Sequence, residues 1–376
     1  MRVTFVLPIA NMSGGIRVVA IYAKALAERG HEVMLVSPPP KAVPFRRKLK
    51  SFLSGNGWPA DVLAYESHLD KSGLDHRVLD RWRPVTDDDV PDADVVIATW
   101  WETAEWVNAL GNRKGTKVYF VQGHEVFPGQ PEARCRATYR LPLHKIAVSN
   151  WLKKLMHVEY GDTQVDLVHN SVDHGQFFAA ERRKQRRPTV GFLYSVATHV
   201  KGVDVALRAV RQLRAKFQAL RVISFGSQIP APREFDDGIE FTYSPPQDKL
   251  RDLYALCDVW ISPSRSEGFN LPAMEAMACR TPVVSTRTGW PDEAIVTGNN
   301  GILVDVDDVH ALVNGVSQIL LLNDAEWSAM SSRAYSTVAS CSWESSARQF
   351  EAALENTCRR ARLGEIEGSV PVVRGD

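Results

Sequence analysis

The sequence predicts an α/β protein with two doubly wound parallel sheets, one in each of two domains, and three observations support this fold class. Short apolar runs alternate with helix-length segments, which is typical of parallel sheets covered by helices on both faces. A charged segment without apolar periodicity, 181–188, divides the alternation into two series. The length of 376 residues agrees with two domains of ordinary size. We therefore expect an N-terminal domain over 1–180 and a C-terminal domain over 188–342.

The first series begins with an apolar run, a glycine-containing loop and a helical pattern that ends before Gly30. The second series begins directly after the charged segment. Strands are expected at 3–8, 33–37, 95–98, 117–121 and 145–148 in the first series, and at 189–193, 221–225, 259–262, 282–285 and 302–304 in the second. The carboxyl ends of both sheets should share one cleft, where open α/β sheets bind ligands.

The composition argues against several classes of protein. Lysine and arginine number 45 and aspartate and glutamate 44, so no overall charge favours nucleic acid as a partner. The five cysteines have no metal-type spacing, which favours reduced thiols and a cytoplasmic location. No apolar stretch approaches the roughly 20 residues that cross a bilayer, and the N-terminal residues lack a signal-peptide pattern. We expect a cytoplasmic protein that is soluble or peripheral to the inner face of a membrane.

The most informative segment is 264–284, SRSEGFNLPAMEAMACRTPVV, which directly follows a predicted strand. Pro272 suits the first turn of a helix, so the amides of Gly268, Phe269 and Asn270 are expected at the positive helix end. Unpaired amides at a helix N-terminus bind phosphate without needing a metal ion, and glycine lets the backbone approach a ligand closely. This pattern predicts a seat for a diphosphate.

Two carboxylates, Glu267 and Glu275, stand at opposite ends of this seat. Glu267 can accept hydrogen bonds from sugar hydroxyls, and Glu275, one turn into the helix, can accept the two hydroxyls of a ribose. The spacing Glu-x7-Glu around Gly-Phe-x-Leu-Pro resembles the retaining GT-B glycosyltransferases of glycosyltransferase family 4. A buried strand-helix junction with two solvated glutamates is the alternative interpretation.

The resemblance implies two Rossmann-like domains that face a central cleft, with a nucleotide-diphosphate sugar bound along the motif, Leu271 included. It also implies that a C-terminal helix, 343–360, crosses back to the N-terminal domain. We expect the last residues, 361–376, to form a flexible tail.

Three further sites fit the same family. Gly14 and Gly15 lack the pattern of a dinucleotide site or a P-loop, and the family's similar loop faces the donor phosphates. His124, in the sequence HEVFP after a predicted strand, is implied to contact the donor sugar. Lys201, in Lys-Gly-x-Asp, is implied to neutralise the donor phosphate. The resemblance thus gives His124, Glu267 and Lys201 as catalytic residues, with no metal and no further cofactor.

The chain departs from the family pattern at one position. The family usually has an arginine about six residues before the lysine, and Ser195 stands there in this chain. Arg17, beside the glycine loop, and Arg265, before the first motif glutamate, are the candidates for the missing charge because arginine makes bidentate phosphate contacts. Each arginine is otherwise an ordinary surface residue.

Two segments indicate the acceptor side. Trp101 and Glu102 follow a predicted strand, so the tryptophan could stack on a sugar ring, although core packing is an equal alternative. The segment 41–60 has five basic residues, no acidic ones and interleaved apolar residues. Such a mixture could bind an anionic membrane or a lipid-linked acceptor, or it could be a solvated helix or loop.

The sequence thus favours a retaining, metal-independent glycosyltransferase of the hexosyltransferase type that transfers a sugar to a glycan, lipid-linked or small-molecule acceptor. A non-hydrolysing nucleotide-sugar epimerase would share the two-domain shape, but its catalytic carboxylates are not identifiable here. A catalytically silent homologue that binds a nucleotide-sugar is the third hypothesis, because the usual arginine is missing.

Overall fold

The structure is a computed structural model that describes residues 1–54, 57–58, 64–70, 72–196, 199–231, 235 and 238–366. Residues 55–56 and 59–60 of the basic segment, and 367–376 of the expected tail, lie outside the described residues. Among the described helices, none combines the length and the apolar character that a bilayer crossing requires.

Thirteen strands and twelve α-helices are assigned within the described residues. The strands are β1 Arg2–Val6, β2 Glu32–Ser37, β3 Asp75–Val78, β4 Val95–Ala98, β5 Thr116–Val121, β6 His144–Ala147, β7 Asp166–Leu167, β8 Thr189–Leu193, β9 Arg221–Gly226, β10 Glu240–Tyr243, β11 Val259–Ser262, β12 Val283–Thr286 and β13 Gly301–Val304. The helices are α1 Gly14–Glu28, α2 Phe45–Leu53, α3 Trp101–Ala109, α4 Glu132–Thr138, α5 Asn150–Tyr160, α6 Val203–Lys216, α7 Leu250–Ala255, α8 Leu271–Ala278, α9 Pro291–Ala294, α10 Val309–Leu321, α11 Asp324–Val338 and α12 Trp343–Arg362.

The strands form two parallel sheets, as the sequence predicts. The first sheet has the order β3-β2-β1-β4-β5-β6-β7 and the second the order β10-β9-β8-β11-β12-β13. Register in the first sheet aligns Phe5 with Leu35 on one side and with Ile97 on the other. The central strands are almost entirely buried because helices cover both faces of the sheet. The strands β3, β7 and β10, which the sequence did not predict, lie at sheet edges.

The last helix, α12, packs on the first domain, as expected for a helix that crosses back. The ring of Phe350 contacts three aromatic rings of that domain, with centroid distances of 6.3 Å to Phe5, 4.6 Å to Tyr22 and 5.0 Å to Phe120. The next residue, Glu351, accepts a hydrogen bond from Arg29 Nε at 2.6 Å. The C-terminal helix is therefore part of the core that contains the first sheet.

The two sheets direct their carboxyl ends toward each other. The loops after β1, β5 and β6 meet the loops after β8 and β11 across a narrow gap. Contact is direct at one point, where the Ser149 hydroxyl, after β6, donates to the carbonyl of Gly268, after β11, at 2.6 Å. Beside it, the Asn150 amide nitrogen donates to Glu293 Oε1 at 3.1 Å. These loops carry most of the residues that the sequence singled out.

Candidate active site

A cleft of about 690 Å³ lies between the two domains. The first domain contributes the glycine loop, the loop after β4 and the loop after β5, and the second contributes the loops after β8 and β11. The lining residues at the second-domain end are Val200, Lys201, Ser266, Glu267 and Gly268, and those of the first domain include Gly15, Trp100, Glu102, Gln122 and His124. The cleft therefore brings together His124, Lys201 and Glu267, the three residues expected to be catalytic.

The N-terminus of α8 presents unpaired amides. Asn270, the residue before the helix, adopts the left-handed conformation with φ of 80°. Its side chain donates to Ser262 Oγ at 2.7 Å and therefore does not cap the helix. Among the described residues, the amides of Gly268 to Leu271 have no hydrogen-bond acceptor. Four backbone donors at a positive helix end suit a phosphate group.

Only glycine fits at position 268, because the two domains touch there. A Cβ atom on Gly268 would lie 1.7 Å from the carbonyl oxygen of Gln122 in the first domain. The side chain of Gln122 is close to Gly15, and its Oε1 atom is buried without a hydrogen-bond partner. The loop after β11 thus reaches the first domain with its bare backbone, and an unsatisfied acceptor lies beside this contact.

Lys201 and Glu267 form a two-pronged ion pair at the second-domain end of the cleft. The ammonium of Lys201 lies 2.8 Å and 2.9 Å from the two carboxylate oxygens of Glu267. Ser264 Oγ donates to the same carboxylate at 2.7 Å, and Glu267 is 8% exposed. Gly202, beside the lysine, has φ of 64° and leaves no space for a Cβ atom against Pro263. This backbone arrangement fixes the lysine next to the glutamate.

Glu275 does not line the cleft in this conformation. Its carboxylate is 5% exposed and accepts two hydrogen bonds at 2.9 Å, from Arg17 Nη1 on one oxygen and from the Tyr254 hydroxyl on the other. The Arg17 guanidinium also lies 5.6 Å from the Phe177 ring centroid. Arg17, expected near donor phosphates, is therefore held by the glutamate that was expected to bind ribose.

Arg265 is occupied elsewhere, and the expectation that it could supply the missing phosphate charge is not supported. Its guanidinium bonds both carboxylate oxygens of Asp204, at 2.8 Å and 2.9 Å, and approaches Asp307 at 2.7 Å. These carboxylates raise the pKa of Arg265 and hold it on the outer side of the loop. Ser195 lies two residues after β8, is half-buried, and is not among the residues that line the cleft.

His124 lies in the middle of the cleft. Its Nε2 atom is 2.7 Å from the Tyr160 hydroxyl, and its ring lies 5.6 Å from that of Tyr139. Burial lowers the pKa of His124, and the charge of Arg136 acts in the same direction against those of Glu159 and Glu132. The imidazole is therefore neutral near pH 7.

Glu125, the next residue, is a buried carboxyl that the sequence did not single out. Its Oε2 atom accepts from the Trp101 amide at 2.7 Å and from the Tyr119 hydroxyl at 2.9 Å. Burial raises the pKa of Glu125 to about 8, although both hydrogen bonds act in the opposite direction. The carboxyl joins the loop of His124 to the N-terminus of α3.

The first-domain end of the cleft is aromatic, but Trp101 is not part of it. Trp101 is 4% exposed, and its Nε1 atom donates to Gln130 at 3.1 Å, so core packing explains this residue. Its neighbour Trp100 lines the cleft instead, as does Glu102. Lys41 Nζ bonds Glu102 at 3.2 Å and lies 3.9 Å from the ring centroid of Trp82.

Sequence reasoning missed several residues that line the cleft, among them Gln122, Lys41 and Glu125. Gln122 stands two residues before His124, so its position after β5 was a usable signal. Lys41 was seen only as one of several basic residues, and the pair of adjacent tryptophans did not reveal which of them is buried. In the described part of the chain, no three His, Cys, Asp or Glu side chains are grouped so that they could hold a metal ion.

Comparison with known proteins finds a family whose model resembles most of the second domain. Residues 187–321 match the family model of glycosyl transferases group 1. The match confirms the resemblance on which the sequence interpretation rests, and it covers the strand, loop and helix of the two motif glutamates.

Curated relatives match over part of their length. The chain is 33% identical over 166 residues to D-inositol 3-phosphate glycosyltransferase of Corynebacterium urealyticum, covering 40% of this chain and 39% of the relative. It is 33% identical over 202 residues to the enzyme of that name from Mycolicibacterium smegmatis, covering 48% of this chain and 45% of the relative. The chain thus spans less than half the length of these relatives.

Solved structures match over nearly the whole chain. HepE of Anabaena in complex with UDP and glucose superposes with a TM-score of 0.67 and 15% identity, covering 95% of this chain and all of that one. Sucrose-phosphate synthase of Thermosynechococcus elongatus gives 0.68 and 15% identity, covering 95% of this chain and 98% of that one. Such likenesses show the fold alone, and the fold is GT-B.

Proposed function

We propose that this protein is a retaining glycosyltransferase that moves a sugar from a nucleotide-diphosphate sugar to a glycan, lipid-linked or small-molecule acceptor. One observation carries the proposal: a single cleft holds the Lys201–Glu267 pair, Gly268 with its unpaired amide, and His124. The curated relatives named above are glycosyltransferases, which agrees with the proposal.

The donor diphosphate would occupy the N-terminus of α8. The amides that begin at Gly268 donate to its oxygens, and the Lys201 ammonium offsets its charge as the bond to the sugar breaks. No metal is needed for this step, because backbone donors and one ammonium act on the leaving group. Preorganised donors of this kind can contribute several kcal/mol to lowering a barrier.

Retention would follow from attack on the face that the diphosphate leaves. The acceptor hydroxyl forms the new bond to the anomeric carbon, the bond to the diphosphate breaks, and the leaving phosphate oxygen takes the hydroxyl proton. The carboxylate of Glu267 is hydrogen-bonded to Lys201 and Ser264. From this position it can also accept hydrogen bonds from sugar hydroxyls. His124 lines the first-domain side of the cleft, where it would face the sugar.

The acceptor would enter at the aromatic end of the cleft. Trp100 offers a ring for stacking against a sugar, and the Lys41–Glu102 pair offers a donor and acceptors for hydroxyl groups. The side chain of Tyr65, which also lines this end, is 48% exposed. At this end Trp100 therefore has the sugar-stacking role that the sequence interpretation gave to Trp101.

We also propose that α2 contacts the anionic inner face of a membrane. Its apolar residues Phe45, Leu49, Phe52 and Leu53 recur at helical spacing and are 40 to 75% exposed. The helix carries four cations, at 46–48 and 50, and no acidic residue. An exposed apolar stripe flanked by cations is complementary to anionic headgroups and acyl chains.

The free thiols of all five cysteines agree with a reducing, cytoplasmic compartment.

The proposal is tested first by binding and then by turnover. A thermal-shift panel of UDP, GDP, ADP and their glucose and mannose conjugates identifies the donor, because a ligand at about 100 times its dissociation constant adds about 2.7 kcal/mol of stability. Proton NMR of the sugar released or transferred from that donor then gives the anomeric configuration. Stabilisation by no nucleotide in the panel, or an epimerised donor without transfer or hydrolysis, contradicts the proposal. Donor binding with neither reaction indicates a silent homologue.

A further inference from the structure

The ring of His124 is held by a tyrosine from a different helix. Tyr160, the last residue of α5, brings its hydroxyl to 2.7 Å from Nε2 of His124. The other ring nitrogen, Nδ1, has no hydrogen-bond partner among the described residues and is not fully buried. Because His124 lines the cleft, Nδ1 is the nitrogen that remains for a ligand.

The direction of the hydrogen bond decides what Nδ1 can do. If the tyrosine hydroxyl donates, Nε2 is bare and the single proton of a neutral imidazole sits on Nδ1. If Nε2 donates instead, Nδ1 is bare and can only accept. The same ligand atom would therefore meet a hydrogen-bond donor in the first arrangement and a hydrogen-bond acceptor in the second.

The surroundings of Tyr160 favour its hydroxyl as the donor. Burial raises the pKa of Tyr160, so the hydroxyl keeps its proton near neutral pH. The nearby positive charge of Arg136 acts against this rise in pKa, and it also makes the hydroxyl a better hydrogen-bond donor. A phenol O–H is a stronger hydrogen-bond donor than a neutral imidazole N–H, and a bare imidazole nitrogen is a better acceptor than a phenol oxygen, so the hydroxyl donates to Nε2 at 2.7 Å. The Arg140 guanidinium, 4.9 Å from the ring centroid, reinforces this polarity.

The groups that face His124 keep the imidazole neutral. From α4 and the residue that follows it these are Glu132, Arg136 and Tyr139, and from α5 they are Glu159 and Tyr160. Arg136 bonds both carboxylates, Glu132 at 3.0 Å and Glu159 at 2.9 Å, so their charges are largely offset. Burial is then the largest influence on the imidazole, and it disfavours the cation.

We propose that Tyr160 is a positioning residue that fixes the Nδ1–H tautomer of His124 and so presents an N–H donor to the cleft. The imidazole then donates a hydrogen bond to a substrate oxygen and does not take up its proton. The effect on turnover rests on the proposed function, whereas the tautomer is a property of the protein alone.

The tautomer is measured by long-range proton-nitrogen NMR of protein labelled with nitrogen-15 histidine. The His124 signals are assigned by their loss in His124→Gln. We expect the wild-type ring to show a protonated Nδ1 and a bare Nε2 at pH 8. In Tyr160→Phe, which removes only the hydroxyl, we expect a mixture of tautomers with a substantial Nε2–H population. A protonated Nε2 in the wild type, or an unchanged tautomer in Tyr160→Phe, overturns the proposal.

The matched control is Tyr335→Phe. Tyr335 is also half-buried beneath a guanidinium, with Arg280 at 4.4 Å from its ring, but it lies beside His174 and not beside His124. This variant should leave the His124 signals unchanged. If Tyr160→Phe melts at a much lower temperature than the wild type, the wild-type spectrum alone still decides between the two tautomers.

A kinetic measurement separates positioning from a structural role. With the donor found in the thermal-shift panel, Tyr160→Phe should lower kcat about three- to tenfold and leave the donor KM unchanged. The acidic limb of the pH profile should move upward, because the lost hydrogen bond favoured the neutral imidazole. Equal kcat and an unmoved pH profile contradict the catalytic consequence, while absence of any turnover in the wild type contradicts only the proposed function.

Discussion

Nη1 of Arg17, in the first helix, lies 2.9 Å from Oε1 of Glu275, in the helix of the phosphate seat, and this ion pair joins the two domains. Tyr254 bonds the other oxygen of Glu275, so both oxygens are occupied before any donor is bound. Ribose hydroxyls can reach this carboxylate only by sharing or replacing these partners. With ribose bound at Glu275, as we propose, donor binding and the contact between domains would be coupled through one side chain.

The first prediction is that Glu275→Ala weakens donor binding more than it lowers kcat. The carboxylate would bond ribose in both the ground state and the transition state, so its loss affects binding uniformly. A hydrogen bond to a charged group is worth about 1.5 to 3 kcal/mol, so the Kd of the nucleoside diphosphate should rise about ten- to a hundredfold. Calorimetric titration measures this. Glu293→Ala, which removes another carboxylate that bridges the domains, should leave the Kd unchanged.

The second prediction is that Glu267→Ala lowers kcat about ten- to a hundredfold, with a smaller change in nucleoside diphosphate affinity. Glu267 lies at the sugar end of the seat, where geometry changes during reaction, and its removal also frees Lys201. Steady-state kinetics and titration of the free diphosphate separate the two effects. If the diphosphate binds normally to Glu275→Ala and not to Glu267→Ala, the donor is bound in the reverse orientation, with its ribose at Glu267 and its sugar at Glu275.

The third prediction concerns metal ions. Since the diphosphate charge would be met by Lys201 and the amides from Gly268 onward, chelation with EDTA should leave donor hydrolysis or transfer unchanged within about twofold. The measurement is the rate before and after dialysis against the chelator. A loss of rate that magnesium or manganese restores would show that the backbone seat is insufficient.

The fourth prediction is a pH dependence of stability from Glu125. Burial raises its pKa to about 8, so between its ordinary value and about 8 the folded state holds a proton that the unfolded state has lost. Stability from this group is fully present at low pH and decreases as pH rises through this window. Glu125→Gln keeps the acceptor for Trp101 and Tyr119 and removes the titration. In urea unfolding, the free energy of unfolding of the variant should increase relative to that of the wild type from pH 5 to pH 8. A difference that stays constant over this range would contradict the prediction.

The fifth prediction concerns α2. Liposomes that contain anionic lipid should sediment the protein at low salt, and neutral liposomes should not, because cations flank the exposed apolar stripe. The double substitution Arg46→Glu with Arg47→Glu should abolish sedimentation. Lys153→Glu with Lys154→Glu on α5 is the matched control, since it makes the same charge change on exposed residues. Equal recovery with both kinds of liposome would show that the helix is simply solvated.

The buried strands could be predicted from the sequence, whereas three of the four edge strands, β3, β7 and β10, could not. β4, β8 and β11 lie within the predicted limits because strands buried on both faces are continuous apolar runs. β3 and β10, with sequences DHRV and EFTY, are half exposed and hydrogen-bond on one side only. These edge strands form by pairing with an adjacent strand of the sheet. A local sequence pattern therefore does not predict them.

The motif residues were predictable, but their partners were not. The spacing of Glu267 and Glu275 and the position of Pro272 follow from the chain itself, and α8 begins at Leu271 with the proline in its first turn. The pairing of Arg17 with Glu275 joins residues 258 positions apart, and it depends on the angle between the two domains. Such contacts between domains leave no periodicity or spacing in the sequence.

The packing of α12 on the first sheet has a consequence for biosynthesis. Phe5, Tyr22 and Phe120 leave the ribosome long before Phe350, which fills the space between them. The nascent first domain therefore exposes an apolar groove throughout translation of the second domain. Its folding cannot be completed until the final helix is synthesised, and until then the groove is open to chaperones. Ribosome-bound chains that stop before Trp343 should remain protease-sensitive in their first half, although every strand of the first sheet is already synthesised.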